Sequence, residues 1–409
     1  MSNATRRNDV WITGIGLVSS LGANADEHVA RLFSGGPAVR PALDESRYAP
    51  YPIHPLAPLD FSSQIPKKSD QRQMELWQRI GVHAAGLALS DAGIAGNADL
   101  LDRTHLVVAA GSGERDTKVD CEVLDKLGPR DDAALLAKEV LPSALRPTLF
   151  LAQLSNMLAG NISIVHNVTG SSRTFMGEEM AGLAAMENAF RRIQAAQADV
   201  ILVGGALNAE REDLLLGYEI GHNLWRGPFR QVWERRGDGG GFIPGSVGAF
   251  IVLESSAHAR ARCAKAYAKI SAIETDRTSR EPGETVLHAL TQLLSRIWSD
   301  IPDGPLLTFS GASGTEPATS EELLFLSRLA SLDHETAIRA FGSAVGHGVE
   351  AHFPMGIALA ALALKHGTAL APTEPSEIER PFSAAIERVL VTGVGHWRGE
   401  GLALIEAIQ

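Results

Sequence analysis

Two adjacent acids, Glu178 and Glu179, stand at the head of a helical stretch, and a single histidine, His347, follows a glycine much later in the chain. Carboxylates and imidazoles are the usual material of general acid–base chemistry. On residue chemistry alone the two acids complement a helix dipole, with Arg191 and Arg192 in the late turn, and a lone histidine reads as a satisfied core residue. Gly14-Ile15-Gly16 follows a strand-like run, as a dinucleotide-binding loop would, but the third glycine of G-x-G-x-x-G falls on Ser19 and the next glycine is Gly22. Gly393-Val394-Gly395 fails as well, because His396 and Trp397 crowd a turn where a pyrophosphate needs small residues. No G-x-S-x-G elbow and no GKS/T phosphate loop occurs, which removes the usual support for hydrolases and nucleotide kinases. Cys121 and Cys263 stand apart with no metal spacing, so neither a disulfide nor a metal is expected.

The elements that would position these residues alternate between β-rich runs and helical periodicity, the pattern of α/β layers around buried sheets. Strands are predicted at Val10 to Thr13, closing on a Gly14-to-Gly16 loop, at His105 to Ala110, at Arg173 to Met176, at Val200 to Val203 closing on Gly204-Gly205, and at Ala249 to Glu254. Between them fall helices at Met74 to Ala92, near Phe150 to Leu158, and from Glu178 to Gln194. A polar stretch from Ser256 to Lys269 marks a change, after which the rhythm repeats: a strand from Ala268, a helix at Glu284 to Trp298, a strand at Leu306 to Phe309, helices at Glu321 to Leu329 and Phe353 to Leu364, and a strand at Arg388 to Val391. Two halves are therefore expected, residues 1–255 and 256–409.

The chain has 409 residues, enough for two to three domain-sized units with sizeable cores, and its 45% hydrophobic content excludes disorder. Lys plus Arg number 37 against 48 Asp plus Glu, a net charge of −11 that disfavours nucleic acid and anionic membrane surfaces. Phe353 to Leu364 is far short of a membrane span and reads as a buried helix. Arg6, Arg7, Asn8 and Asp9 form an ordinary polar leader, so a cytoplasmic location is expected.

Gly160-Asn161-Ile162-Ser163, Gly170, Glu178-Glu179, Asp199-Val200 and Gly204-Gly205-Ala206 stand in an order and spacing that resembles the β-ketoacyl synthases of the thiolase superfamily. That family has a glycine before a strand, a nucleophilic cysteine at the next helix start, and an A-D-V strand ending in G-G-A. The opening from Val10 to Gly22 is similar to its V-x-x-T-G-x-G-x-V-S-x-L-G start. Gly227-Pro228-Phe229, Gly241-Phe242-Ile243-Pro244-Gly245 and Val345-Gly346-His347 resemble its P-F, G-F-x-x-G and T-G-H stretches, so the likeness runs over essentially the whole chain.

The resemblance implies a thiolase-like five-layer αβαβα fold of two related halves. It also places Glu179 where the family keeps its cysteine, Ser310 at the first histidine, Gly342 at the lysine and His347 at the second histidine. On this frame Glu179 sits at the bottom of the pocket, Glu178 remains an ordinary acid of the cap region, and an ion pair joins Glu179 to His347. Three of four catalytic groups are thus replaced, and no catalytic residue is assigned. The family includes chain-length factors, synthase-like subunits without the nucleophile that pair with an active β-ketoacyl synthase and limit product length. By resemblance, Ser172, Arg173, Thr174, Phe175 and Met176 form the dimer-interface strand, and the segment from Glu114 to Leu127, with Leu124 and Leu127, lines or blocks the partner's tunnel. No bound cofactor is implied, since substrates ride on the phosphopantetheine of an acyl carrier protein. An aryl polyene or related type II polyketide system is the preferred context. Two alternatives stay open: an autonomous malonyl-carrier decarboxylase using Glu179 and His347, and a homodimeric pseudoenzyme binding carrier protein or lipid.

Overall fold

A computed structural model of the chain describes residues 8–33, 40–127, 134, 136–144, 147–278, 285–301, 304–331, 336–373 and 378–408. Arg6 and Arg7 of the polar leader, and Glu284 at the expected start of a helix, lie outside the described residues.

Among the described residues, ten strands form one sheet. The first half holds β1 (Val10–Val18), β2 (His105–Ala110), β3 (Ser172–Met176), β4 (Val200–Leu207) and β5 (Val247–Ser255). The second half holds β6 (Ala268–Asp276), β7 (Leu306–Ser310), β8 (Thr336–Ala340), β9 (Arg388–Val394) and β10 (Glu400–Glu406). Their order is β3-β2-β4-β5-β1-β6-β10-β9-β7-β8. Read outward from the middle, the two halves correspond strand for strand, β1 with β6 through β5 with β10. The senses repeat too: β2 runs parallel to β3 and β4, and β7 runs parallel to β8 and β9, while β5 and β10 are antiparallel to their neighbours. The halves meet at a short antiparallel seam, Val10 with Ile270, Trp11 with Lys269 and Ile12 with Ala268.

Side chains alternate faces along each strand, and here both faces are covered, which is why the strands read as unbroken apolar runs. Leu106, Val108, Leu202 and Val252 point outward to α1 (Leu76–Asp91) and, beyond α2 (Thr117–Leu127), to α3 (Met157–His166). Leu306, Leu390 and Leu402 point outward in the second half. The alternate residues, Val107, Ile201, Ile251, Phe309, Val391 and Ala403, face a shared central layer. That layer is made by α4 (Glu179–Gln194) and, beyond α5 (Glu212–Ile220), α6 (Val286–Ile297) and α7 (Ala318–Ala330), by α8 (His352–His366). With α6 and α7 covering the far side, the sequence of layers is αβαβα. The helix predicted from Phe353 to Leu364 is α8, buried along that whole stretch. Among the described residues no helix is long and apolar enough to cross a membrane.

Two predicted loops are strand instead. β1 runs on through Gly14 and Gly16 with a bulge after Ile12, and β4 runs on through Gly204 and Gly205. These glycines buy closeness rather than turning: a Cβ on Gly16 would lie 1.8 Å from the Ala84 carbonyl of α1, and one on Gly204 would lie 2.1 Å from the Ala249 carbonyl. The stretch near Phe150 to Leu158 divides between a short helix at Pro147–Ala152 and α3.

The sheet's two ends differ. β3 pairs on one side with β2 and is largely exposed on the other, with Met176 75% exposed. β8 is buried along most of its length, and its Ala340 N–H donates to Glu379 Oε1 at 2.8 Å, so a later segment covers that edge.

Candidate functional site

The chain leaves β3 through Gly177, whose φ of 143° suits glycine, and turns at Glu178 into α4. Glu179 is thereby the first residue of α4 and is 3% exposed. His347 reaches it from the other half. The segment carrying His347 is gripped by the Phe242-to-Gly245 stretch, with the His347 N–H donating to the Ile243 carbonyl at 2.8 Å and the Gly245 N–H donating to the His347 carbonyl at 3.0 Å. His347 Nε2 donates to Glu179 Oε1 at 2.7 Å, while its Nδ1 is buried without a partner.

A second imidazole arrives from the end of β9. The Gly395 N–H donates to the Gly399 carbonyl at 2.8 Å, closing a tight loop, and His396 at its tip lies with Nδ1 2.9 Å from Glu179 Oε1 and 3.1 Å from Oε2. The His396 N–H adds a contact of 3.3 Å to Oε1. Burial alone would raise the Glu179 carboxyl, but His396 and His347 outweigh it and hold the acid well below the ordinary carboxylate range. Burial lowers His347 despite its bond to Glu179, so the pair is a carboxylate receiving an N–H from a neutral ring. Glu179 is thus an anion with its lone pairs engaged by two imidazoles. Glu178, Glu179 and His396 bring metal-ligand atom types within 4.8 Å of one another, the group among the described residues that could hold a cation.

Beside this trio lies a half-open cavity of about 820 Å³, lined among others by Glu178, His396, Trp397, Tyr218 and Glu350. Glu179 is not in the lining; it sits one layer behind Glu178 and His396. That corrects two expectations: the bottom of the pocket is not Glu179, and Glu178 is not an ordinary cap-region acid. Glu178 makes no capping bond, lines the cavity, reaches within 3.7 Å of His396 Nε2 and is raised by burial.

Ser310, at the end of β7, donates instead to Glu322 Oε1 at 2.7 Å, a bond shared with Thr392 at 2.5 Å. Gly342 opens a short helical turn; a Cβ there would lie 3.5 Å from His352, whose ring centroid is 4.3 Å from that of His347. His352 therefore stands beside the space that a longer side chain at position 342 would enter. Glu114 turns inward, accepting from the Trp77 N–H at 2.7 Å and from Asn208 at 3.0 Å. Leu124 on α2 is 66% exposed, and Leu127 ends that helix with its side chain outside the described part. Ser172 to Met176 form β3, with Arg173 and Thr174 between Ser172 and Phe175 on the open edge.

Sequence reasoning missed His396, His352 and Glu350. His396 carried one readable signal, a bulky ring inside a Gly-x-Gly-His turn; the other two carried none.

The sequence profile described as Beta-ketoacyl synthase, N-terminal domain, matches residues 7–259. A 3-oxoacyl-[acyl-carrier-protein] synthase 2 of Rhizobium meliloti (strain 1021) is 27% identical over 385 residues, covering 88% of this chain and 87% of its own length. A beta-ketoacyl synthase named for the oxytetracycline polyketide in Streptomyces rimosus is 25% identical over 384 residues, covering 90% and 87%. Among solved structures, the ishigamide ketosynthase/chain length factor superposes with a TM-score of 0.77 at 19% identity, over 98% of this chain and all (100%) of that one. These structures are likenesses of fold, and they match the layered sheet described above.

Proposed function

This chain belongs to the beta-ketoacyl synthase family, and from that premise we propose that it is a non-condensing, chain-length-factor-like subunit that pairs with an intact β-ketoacyl synthase. The observation that carries this reading is the state of Glu179. Condensation needs a nucleophile that holds an acyl chain as a stable thioester, and a cysteine thiolate at a helix N-terminus serves that need. At the matching position here a carboxylate would give a mixed anhydride, more reactive than the thioester it came from. This carboxylate is also buried behind the cavity wall and occupied by His347 and His396. With Ser310 bonded to Glu322 and Gly342 lacking a side chain, the lysine and first-histidine functions have no bearer at the positions that the resemblance assigns.

A partner surface at β3 is supported by its open edge, which pairs with no further strand among the described residues, and by the exposed Met176 on β3 and Ile164 on α3, which packs beside it; Leu124 on α2 is exposed as well. Pairing of β3 with the equivalent strand of a synthase would set α2 against that subunit, where Leu124 would limit the space for a growing chain. The substrate would be an acyl or polyketide chain on the phosphopantetheine of an acyl carrier protein, delivered to the synthase and not to Glu179. The names of a 3-oxoacyl-[acyl-carrier-protein] synthase and an oxytetracycline polyketide beta-ketoacyl synthase among the relatives, and the ketosynthase/chain length factor title of a structural neighbour, agree with this context.

The test is co-expression with an intact β-ketoacyl synthase, followed by elongation assays of each protein alone and of both together. One-to-one capture, product only when both are present, and no acyl adduct on this chain by intact mass support the reading. Chain extension by this protein unaided, or an acyl group on Glu179, overturns it. Carbon dioxide release from malonyl carrier by the isolated protein would favour an autonomous decarboxylase instead.

A further inference from the structure

Glu350 lies on the short turn Val349–Ala351 between His347 and α8, is 4% exposed, and has a buried Oε2 with no hydrogen-bond partner. An unpaired buried polar atom is costly, so a structure that keeps one beside an open cavity has a reason to be sought. Three glycines from three elements make room for this turn. A Cβ on Gly111, just after β2, would stand 2.0 Å from Glu350 Oε1; one on Gly182 of α4 would stand 2.3 Å from the Glu350 carbonyl, and one on Gly205 of β4 would stand 3.4 Å from it. The carboxyl lines the same cavity of about 820 Å³ as Glu178 and His396, among apolar Leu207, Leu214, Met176 and Trp397.

The charges around it decide what it can meet. Glu178 and Glu179 stand at the head of α4, and Asp213 lies on α5. The nearby cation, Arg211, is paired with Asp213 and donates to the Gly113 carbonyl at 2.9 Å. His347 and His352, on either side of the turn, are both lowered by burial and are neutral. Tyr218 of α5 is held well above its usual range by burial and by these same acids, so it too is neutral. Burial, reinforced by Glu179 and Glu178, raises Glu350 to about 8. At neutral pH it is a carboxylic acid, with an O–H to give.

We propose that Glu350 is a binding residue of this cavity, donating a hydrogen bond to an uncharged oxygen, such as a ketone or thioester carbonyl, carried on an otherwise apolar acyl chain. An anionic head group would face Glu178 and Asp213, and among the described residues of the lining the guanidinium of Arg211 is already paired with Asp213. This goes beyond the subunit reading, and it concerns the isolated chain, so either can fail without the other.

The experiment follows the intrinsic fluorescence of the purified full chain, since Trp77 and Trp397 line the cavity. The probes are 2-octanone and octanoate, which share a chain length and differ in head group. At about pH 6.5 the ketone binds about tenfold more tightly than octanoate, the scale of one well-formed hydrogen bond in a buried site. Raising the pH to about 9.5 ionises Glu350 and weakens ketone binding by about tenfold. Glu350→Gln keeps a donor without a proton to lose, so ketone binding stays within about threefold and becomes flat in pH. Gly111→Ala crowds the carboxyl and weakens the ketone several-fold while preserving the pH profile, which serves if the glutamine variant is poorly folded. Equal or tighter binding of octanoate, or a wild-type pH profile surviving in Glu350→Gln, overturns the proposal.

Discussion

His396 Nδ1 lies 2.9 Å from Glu179 Oε1, across 217 residues of chain and from the opposite half of the sheet. The contact means that the first residue of α4 and the loop after β9 are held together by a charge-assisted bond inside the protein, with His347 completing the set at 2.7 Å. A buried anion of this kind is stable only while its donors stay in place.

Removing the acceptor should therefore cost more than removing its charge. Glu179→Leu takes the shared acceptor away from two buried imidazoles and should destabilise the fold by about 3–5 kcal/mol, while Glu179→Gln, which keeps an acceptor oxygen, should cost roughly half as much. Urea denaturation of the three proteins side by side measures this. A leucine variant as stable as the glutamine one would mean that the acceptor oxygen adds nothing to folding beyond the charge.

Acid should loosen the protein well before the depressed carboxyl of Glu179 matters. Burial lowers His54 to about 3, and lowers His28 and His83 to about 4. Between these values and the unfolded histidine value of about 6.5 the unfolded chain binds more protons, so stability falls as pH falls through that window. Glu179, depressed in the fold, adds its own loss only below about 4.5, the range where its unfolded counterpart takes up a proton. Both ring nitrogens of His54 are buried without partners, so His54→Leu should reduce the slope by up to about 1.4 kcal/mol per pH unit. Thermal unfolding at stepped pH reads the slope directly; an unchanged slope in the variant assigns the acid sensitivity elsewhere.

If α2 limits the partner's tunnel, trimming it should lengthen what the pair makes. Leu124→Ala removes an exposed apolar side chain, so the isolated subunit should keep its stability within about 0.5 kcal/mol. In the assembled pair, the same change should shift products to longer chains by mass spectrometry. An active pair with an unaltered product distribution would remove α2 from the tunnel wall.

Much of this was legible before any coordinates. The alternation of apolar runs and helical periodicity gave the layers, because strands covered on both faces leave no other pattern. The resemblance, aligned without a gap from Gly160 to Ala206, put Glu179 at the family's cysteine position, and the structure has it as the first residue of α4. Loops were misread at Gly14, Gly16, Gly204 and Gly205, since a glycine that admits a neighbouring backbone looks in sequence like one that turns the chain. β8 and β10 went unread: Thr336 to Ala340 is short and contains Arg339, and Glu400 to Glu406 begins and ends on acids. Glu350 and His352 could not be found by pattern at all, because what defines them is space left by glycines: Gly111, just after β2 in the first half, beside Glu350, and Gly342, on the turn before His347, beside His352.

The unequal ends of the ten-stranded sheet bear on how such molecules can assemble. An element with two open borders invites copy after copy and grows into a fibre. Here Glu379 seals one border at Ala340, and β3 leaves the other bare. Any association by strand addition must then stop at two, producing a finite pair whose second member can be a different protein.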